Sequence, residues 1–384
     1  MMTRLRILIV GVLGMVAVLV AGVATAASDQ IQPGSLGTRS TFENIGVLWE
    51  VSGDTDLDST MSIEFRQTGA SNWNAGAPAV RAYLSIIVNG DPLGLDSWGA
   101  SAMFLLPGTS YEIRATLTDP DGGSETRTVT ASTRRRPTPD TNGATRYVVP
   151  GGGGGSGTSG DPFLGLQAAA DAANPGDTFM VSAGTYAPFD LTTSGSSGSP
   201  IAFLGQGAII DGAGTDRGII TLGRFDEILS DVIVDGFTIR DGTWGIDAQN
   251  TQDIVIANNI IEDVDRGIVN RRANAWESNQ TICDNVIQGR TVWPASGIPS
   301  DRGIDLRGDG NVVCFNLVQN FGDCISVQPI SGESYGNDVF GNDVAFCVDD
   351  GIEIDYNQAN VRVWRNRITN SRMGVSVQPI YGGP

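Results

Sequence analysis

The chain has 384 residues, with 43 acidic against 24 basic side chains, no histidine and a formal net charge of −19. Every basic residue is Arg, which excludes a histidine base or metal ligand, a Ser-His-Asp triad, a Schiff-base lysine and a lysine general base. So negative a molecule also disfavours nucleic acid and anionic membrane surfaces as partners.

The first 26 residues read as a secretory signal peptide: Arg4 and Arg6, an apolar run from Ile7 to Val23, then Ala24-Thr25-Ala26 as a small-residue cleavage site. The competing reading is a membrane anchor, because the apolar run is near spanning length. The remainder is expected to be secreted, extracellular or periplasmic, with no other membrane segment, and to act as a monomer.

Residues 34 to 134 read as a separate β domain, with alternating strands in "IGVLWEVSG" and "MSIEFRQTG" and Trp49 as a core anchor. The run Leu106-Pro107-Gly108-Thr109-Ser110-Tyr111 resembles the corner of fibronectin type III domains. That resemblance implies a β-sandwich in which the Tyr111 hydroxyl ties the chain crossover to backbone. Between Trp73 and Phe104 the pattern is looser than in that family. Asp54, Asp56 and Asp58 alternate as in a calcium loop, but the glycine and terminal glutamate of such a loop are missing, so they read as a solvated turn. A proline-stiffened linker, 135 to 146, follows, and the halves on either side are not expected to need a common core.

From Tyr147 the pattern changes. A Gly/Ser loop leads to Asp161-Pro162, then Phe163 to Ala173 read as a short helix that stops at Asn174-Pro175-Gly176-Asp177. Six repeats occupy Val234 to Val377. One aliphatic column is Val234, Ile256, Ile282, Val313, Val339, Val363, and a second, five positions later, is Ile239, Ile261, Ile287, Val318, Val344, Ile368. Between them runs Phe237, Asn259, Asn285, Asn316, Asn342, Asn366, whose amides can hydrogen-bond from repeat to repeat inside a core. A second strand opens at Gly245, Gly267, Gly303, Cys324, Gly351 and Gly374 and alternates with period two. Short β-branched strands at this repeat length, with no helical periodicity, predict an all-β chain whose larger part is a parallel β-helix.

Residues 147 to 384 accordingly resemble the right-handed parallel β-helix proteins of the pectate-lyase-like superfamily. The resemblance implies that the helix plugs the open end of the solenoid, and it points to no single reaction. The last repeat reads as incomplete at Pro384.

Four cysteines lie in the repeats. Cys283 and Cys314 share a column in adjacent repeats, where about 4.8 Å between strands is slightly wide for a bond, so thiols and a disulfide stay open. Cys324 and Cys347 are four positions out of register, and a bridge there needs help from a turn. No cysteine spacing defines a metal site.

With inward positions aliphatic, chemistry must sit on the outward positions of the second strand. These pair Asp247 with Gln249, Val269 with Arg271, Asp305 with Arg307, Ser326 with Gln328, Glu353 with Asp355, and Ser376 with Gln378. Asp323 precedes one opener. Asp305 and Glu353 lie two repeats apart, about 9.6 Å by strand spacing, near the upper end of the separation used by inverting glycosidases. Asp323 between them would raise one pKa by like-charge repulsion. The resemblance implies an alternative, elimination with Arg271 or Arg307 as base. Trp276, Trp293 and Tyr335 sit on lengthened loops and are expected to stack sugar rings.

The expected function is that of a secreted carbohydrate-active protein acting on a polysaccharide as lyase or glycoside hydrolase; the alternative is a non-catalytic glycan-binding or structural solenoid. Asp305, Arg307, Glu353 and Asp355 are the candidate catalytic residues. Asp247, Gln249, Arg271, Trp276, Trp293, Asp323, Gln328, Tyr335 and Gln378 are the candidate substrate contacts. No cofactor is required by these residues, and Ca²⁺ is the one that an eliminative reaction on a uronate would recruit.

Overall fold

The computed structural model describes residues 29–82, 87–88, 91–92, 96–270, 277–329, 335–357 and 359–378. The signal-peptide reading, Arg271, Trp276 and the chain end at Pro384 fall outside these residues. No helix among the described residues is long and apolar enough to cross a membrane.

The N-terminal part forms two four-stranded antiparallel sheets. One contains Gln32–Ser40, Ile45–Ser52, Ser97–Ala102 and Val80–Ala82; the other contains Glu125–Ser132, Ser110–Thr118, Thr60–Gln67 and Asn74–Ala75. Strict alternation drives the pairing: Tyr111, Ile113, Ala115 and Leu117 point inward from one strand, and the polar residues between them stay at the surface. Trp49, Ile45, Ile63 and Trp98 complete one shared core. The Leu106 N–H donates to the Tyr111 hydroxyl at 2.9 Å, which ties the side chain to the backbone five residues upstream. Asp54 departs from the solvated-turn reading. It is fully buried, accepts the Asp58 N–H at 3.1 Å and is ion-paired with Arg81, so it organises the turn from inside.

After residue 144 the chain alternates between a ten-stranded and an eleven-stranded sheet, and every recorded pairing in both is parallel. The register matches the sequence columns. Val234, Ile256, Ile282, Val313, Val339 and Val363 are successive partners in one sheet. Ile239 through Ile368, and Ile246 through Val375, are successive partners in the other. The asparagines form the buried ladder. Asn316, 1% exposed, accepts from the Asn285 N–H and side-chain amide at 3.0 and 2.9 Å, and donates to Ile282 O and Asn342 Oδ1. Each amide thus replaces its lost water contacts with partners in the adjacent rows.

The repeat begins earlier than the aliphatic columns indicate. Phe179 pairs with Phe203, and Phe203 with Val234, and the two rings stack 4.5 Å apart. The helix is shorter than expected, Leu166–Asp171, with Leu166, Ala169 and Ala170 packed into the core.

Both cysteine pairs are disulfides. Cys283 and Cys314 are register partners with Cα atoms 4.6 Å apart. Cys324 reaches Cys347, Cα to Cα 5.6 Å, because the chain bends at Gly322, after Phe321, the register partner of Cys347.

The two halves have separate buried clusters, but they also touch directly. Asp338, 1% exposed, accepts from Asn44 at 2.8 Å, from Thr41 at 2.5 Å and from Arg362 at 2.5 Å. Asn360 donates to Val47 O at 3.0 Å. Arg134 reaches across to Asn279 O at 3.3 Å, and burial lowers its pKa to about 10. Phe42 packs on a small cluster that includes Cys283, Cys314 and Phe340.

Candidate functional site

One row of outward positions runs across the second sheet, linking Thr221, Asp247, Val269, Asp305, Ser326, Glu353 and Ser376 as successive register partners. Arg307 and Gln328 pair at the next outward position. Asp305 and Glu353 are therefore two register steps apart along this row, as the spacing predicted. This part of the face is nearly closed to solvent. Asp305 and Glu353 are only 6% and 9% exposed, and Asp247 is fully buried.

The organising residue is Arg302, which precedes the Gly303 opener and was not singled out from the sequence. Its guanidinium lies 3.4 Å from Asp305, 3.2 Å from Asp323 and 3.3 Å from Glu353, and it also contacts the Ser326 hydroxyl at 3.3 Å. Burial works against the Arg302 charge, but Asp305, Glu353 and Asp323 outweigh it and hold its pKa above the ordinary value. Ser326 donates to Glu353 at 2.7 Å, and Arg307 pairs with Asp305 at 2.9 Å. Charge pairing of this kind lets carboxylates remain in a nearly dry place.

Beside this network lies a second group of acids. Asp323, Asp349 and Asp350 present carboxylate oxygens within 4.8 Å of one another. Burial, then the Glu353 charge, pushes Asp323 up to about 6, against the pull of Arg302. Burial, then Asp323, Asp349, Glu353 and Asp355, pushes Asp350 up to about 7. The repulsion expected from Asp323 therefore acts on Asp350, while Asp323 itself is raised by its burial and by Glu353. Asp350 is 5% exposed, and its Oδ1 has no hydrogen-bond partner among the described residues. An all-oxygen set with one orphaned acceptor fits a hard divalent cation such as Ca²⁺ as well as it fits a proton.

The other predicted contacts divide. Gln249 donates to Asp247 at 2.8 Å, on the row. Asp355 accepts from the Ser376 hydroxyl at 2.8 Å and the Gln378 N–H at 2.7 Å, so it caps the end of the row instead of facing Asp305. Trp293 lines an open cavity of about 470 Å³ with Val348 and Arg372, on the Asp349 side. Arg372 lies 3.9 Å from Asp349. Tyr335 is a correction: the Arg39 guanidinium sits over its ring at 5.2 Å, and its hydroxyl approaches Gly37, which places it at the junction with the N-terminal sheets.

Burial also raises Glu277 to about 7; this residue accepts the Asn250 N–H and was not anticipated.

No family model matches the sequence, and no curated protein is found similar to it. Among solved structures, the chain is similar to an alginate lyase from Paenibacillus sp. str. FPU-7, with 13% identity and a TM-score of 0.31, over 54% of this chain and 96% of that one. It is also similar to the catalytic domain of a GH87 α-1,3-glucanase in complex with tetrasaccharides, with 12% identity and a TM-score of 0.28, over 89% of this chain and 68% of that one.

Proposed function

We propose that the protein is a secreted glycoside hydrolase acting on a polysaccharide laid along the Asp305–Ser326–Glu353 row, on the face of a right-handed parallel β-helix carried beside a fibronectin type III-like domain. The observation that carries the reading is a pair of unlike carboxyls, one held by Arg302 and one buried without a cation beside it among the described residues. Glu353 is a carboxylate fixed by a guanidinium, and Asp350, whose pKa Glu353 helps to raise, is a buried carboxyl with an unpartnered oxygen. A carboxyl raised by burial, close in the chain to a carboxylate held by a guanidinium, is the division of roles that glycoside hydrolysis uses. Asp350 is assigned as proton donor to the leaving oxygen, and Glu353 as the carboxylate that stabilises or attacks the developing cation. Arg302 is a positioning residue, and Asp305 with Arg307 orients sugar hydroxyls.

Elimination by an arginine base fits less well, because Arg302 is held charged by three acids and Arg307 is engaged by Asp305. One observation favours a second reading: the closeness of Asp323, Asp349 and Asp350 would let a bound Ca²⁺ receive a uronate. The two disulfides support an oxidising, extracytoplasmic location. The test is product release from a panel of neutral and uronic polysaccharides, with and without a chelator. Hydrolysis releases reducing ends alone, whereas elimination adds the ultraviolet absorbance of unsaturated ends. Binding without either product identifies a glycan-binding solenoid.

A further inference from the structure

At the opposite end of the same row is an open cleft of about 660 Å³ that the proposed chemistry does not use. Its floor continues the row: Thr221 is the register partner of Asp247, and Gln249, which donates to Asp247 at 2.8 Å, lines it as well. Both walls are fixed. On one side Gln167 of the short helix exchanges hydrogen bonds with the Asp190 backbone at 3.1 and 2.9 Å. On the other side the buried Asn250 side chain donates to Arg224 O at 3.1 Å and to Phe225 O, presenting a Phe225 side chain that is 48% exposed.

A cleft with fixed walls and one exposed ring suits a sugar that stacks on the ring and hydrogen-bonds to the surrounding amides and hydroxyls. Its charges argue against a uronate. Asp171, Asp190 and Asp226 face only Arg217 and Arg224, and Arg217 is already paired with Asp190 at 2.9 Å. Thr221 lies five register steps from Glu353, about 24 Å by strand spacing. We propose that this cleft is a distal subsite for a neutral stretch of the polysaccharide whose bond is cut near Glu353, so that long chains are preferred over short oligomers. The inference rests on the proposed function for the cutting site and adds to it the class of sugar and the direction in which the chain lies.

The test is affinity electrophoresis in native gels containing dextran, laminarin, arabinoxylan, alginate or polygalacturonate, with a trisaccharide of the retarding polymer measured separately by calorimetry. Phe225→Ala and the cleft-filling Thr221→Trp should each weaken binding of a neutral polymer by about two- to tenfold, with trisaccharide binding and melting temperature unchanged. If both variants bind the polymer like the parent while Arg302→Gln does not, the distal subsite is refuted and the cutting site stands. If Phe225→Ala weakens alginate or polygalacturonate binding but that of no neutral polymer, the assignment of a neutral sugar is refuted. A parent retarded by no polymer overturns both readings.

Discussion

The Arg302 guanidinium lies 3.3 Å from the Glu353 carboxylate, although Glu353 is on a strand two register steps away from its own. This contact turns a column of acids into a connected network, because the same guanidinium also holds Asp305 and Asp323.

Arg302→Gln should therefore lower stability by about 3 kcal/mol, the scale for removing one partner of a buried ion pair. Arg302→Lys should recover only part of the loss, since an ammonium lacks the planar fork that meets several carboxylates at once. Urea melts of the two variants and the parent measure this. A loss below about 0.5 kcal/mol, the size seen for exposed pairs, would show that the network is solvated.

The acids next to it set a pH dependence. In the fold Asp350 and Asp323 bind protons more tightly than in the unfolded chain, at about 7 and about 6 against the ordinary 3.8 of an aspartate. Their contribution is full below about pH 4 and is lost as pH rises through 6 and 7. The melting temperature of Asp350→Asn should thus exceed that of the parent at pH 8, and the difference should shrink toward pH 5. A difference that grows toward acid pH would reverse the assignment.

The asparagine ladder is structural. Asn316→Ala removes a side chain that serves both Asn285 and Asn342, and should cost about 1–3 kcal/mol through their unpaired groups. Calorimetric unfolding reads the loss. An unchanged melting temperature together with lost glycan binding would make the ladder a site.

The junction between the halves should also contribute to stability. Asn44→Ala takes one donor from the buried Asp338 carboxylate and should destabilise the whole chain by about 1–3 kcal/mol. If denaturation of the variant matched the parent, the contact would be incidental and the halves independent.

Much of the parallel architecture could be read from the sequence, because β-branched aliphatics and asparagines recur at fixed register, and register is what sheets enforce. The rows at Phe179 and Phe203 escaped because large rings replace the aliphatic signature while filling the same core positions. The site was legible in part. Period-two alternation placed Asp305 and Glu353 on one face, but it could not show that Arg302, lying before the opener, would close over them. Charged residues in a strongly acidic chain also read as solvated surface, whereas here three are buried by mutual contacts. Tyr335 was misplaced because the length of a loop does not say which neighbour it leans on.

The most direct test is the rate of reducing-end release by Glu353→Gln and Asp350→Asn, compared with the parent, on the polysaccharide that the parent degrades fastest. Each variant should keep the parent's near-ultraviolet circular dichroism and polymer binding and lose at least about 10²-fold in turnover, the scale of a positioned proton-transfer or charge-stabilising group. Full turnover in both folded variants would contradict the account and remove Glu353 and Asp350 from the chemistry.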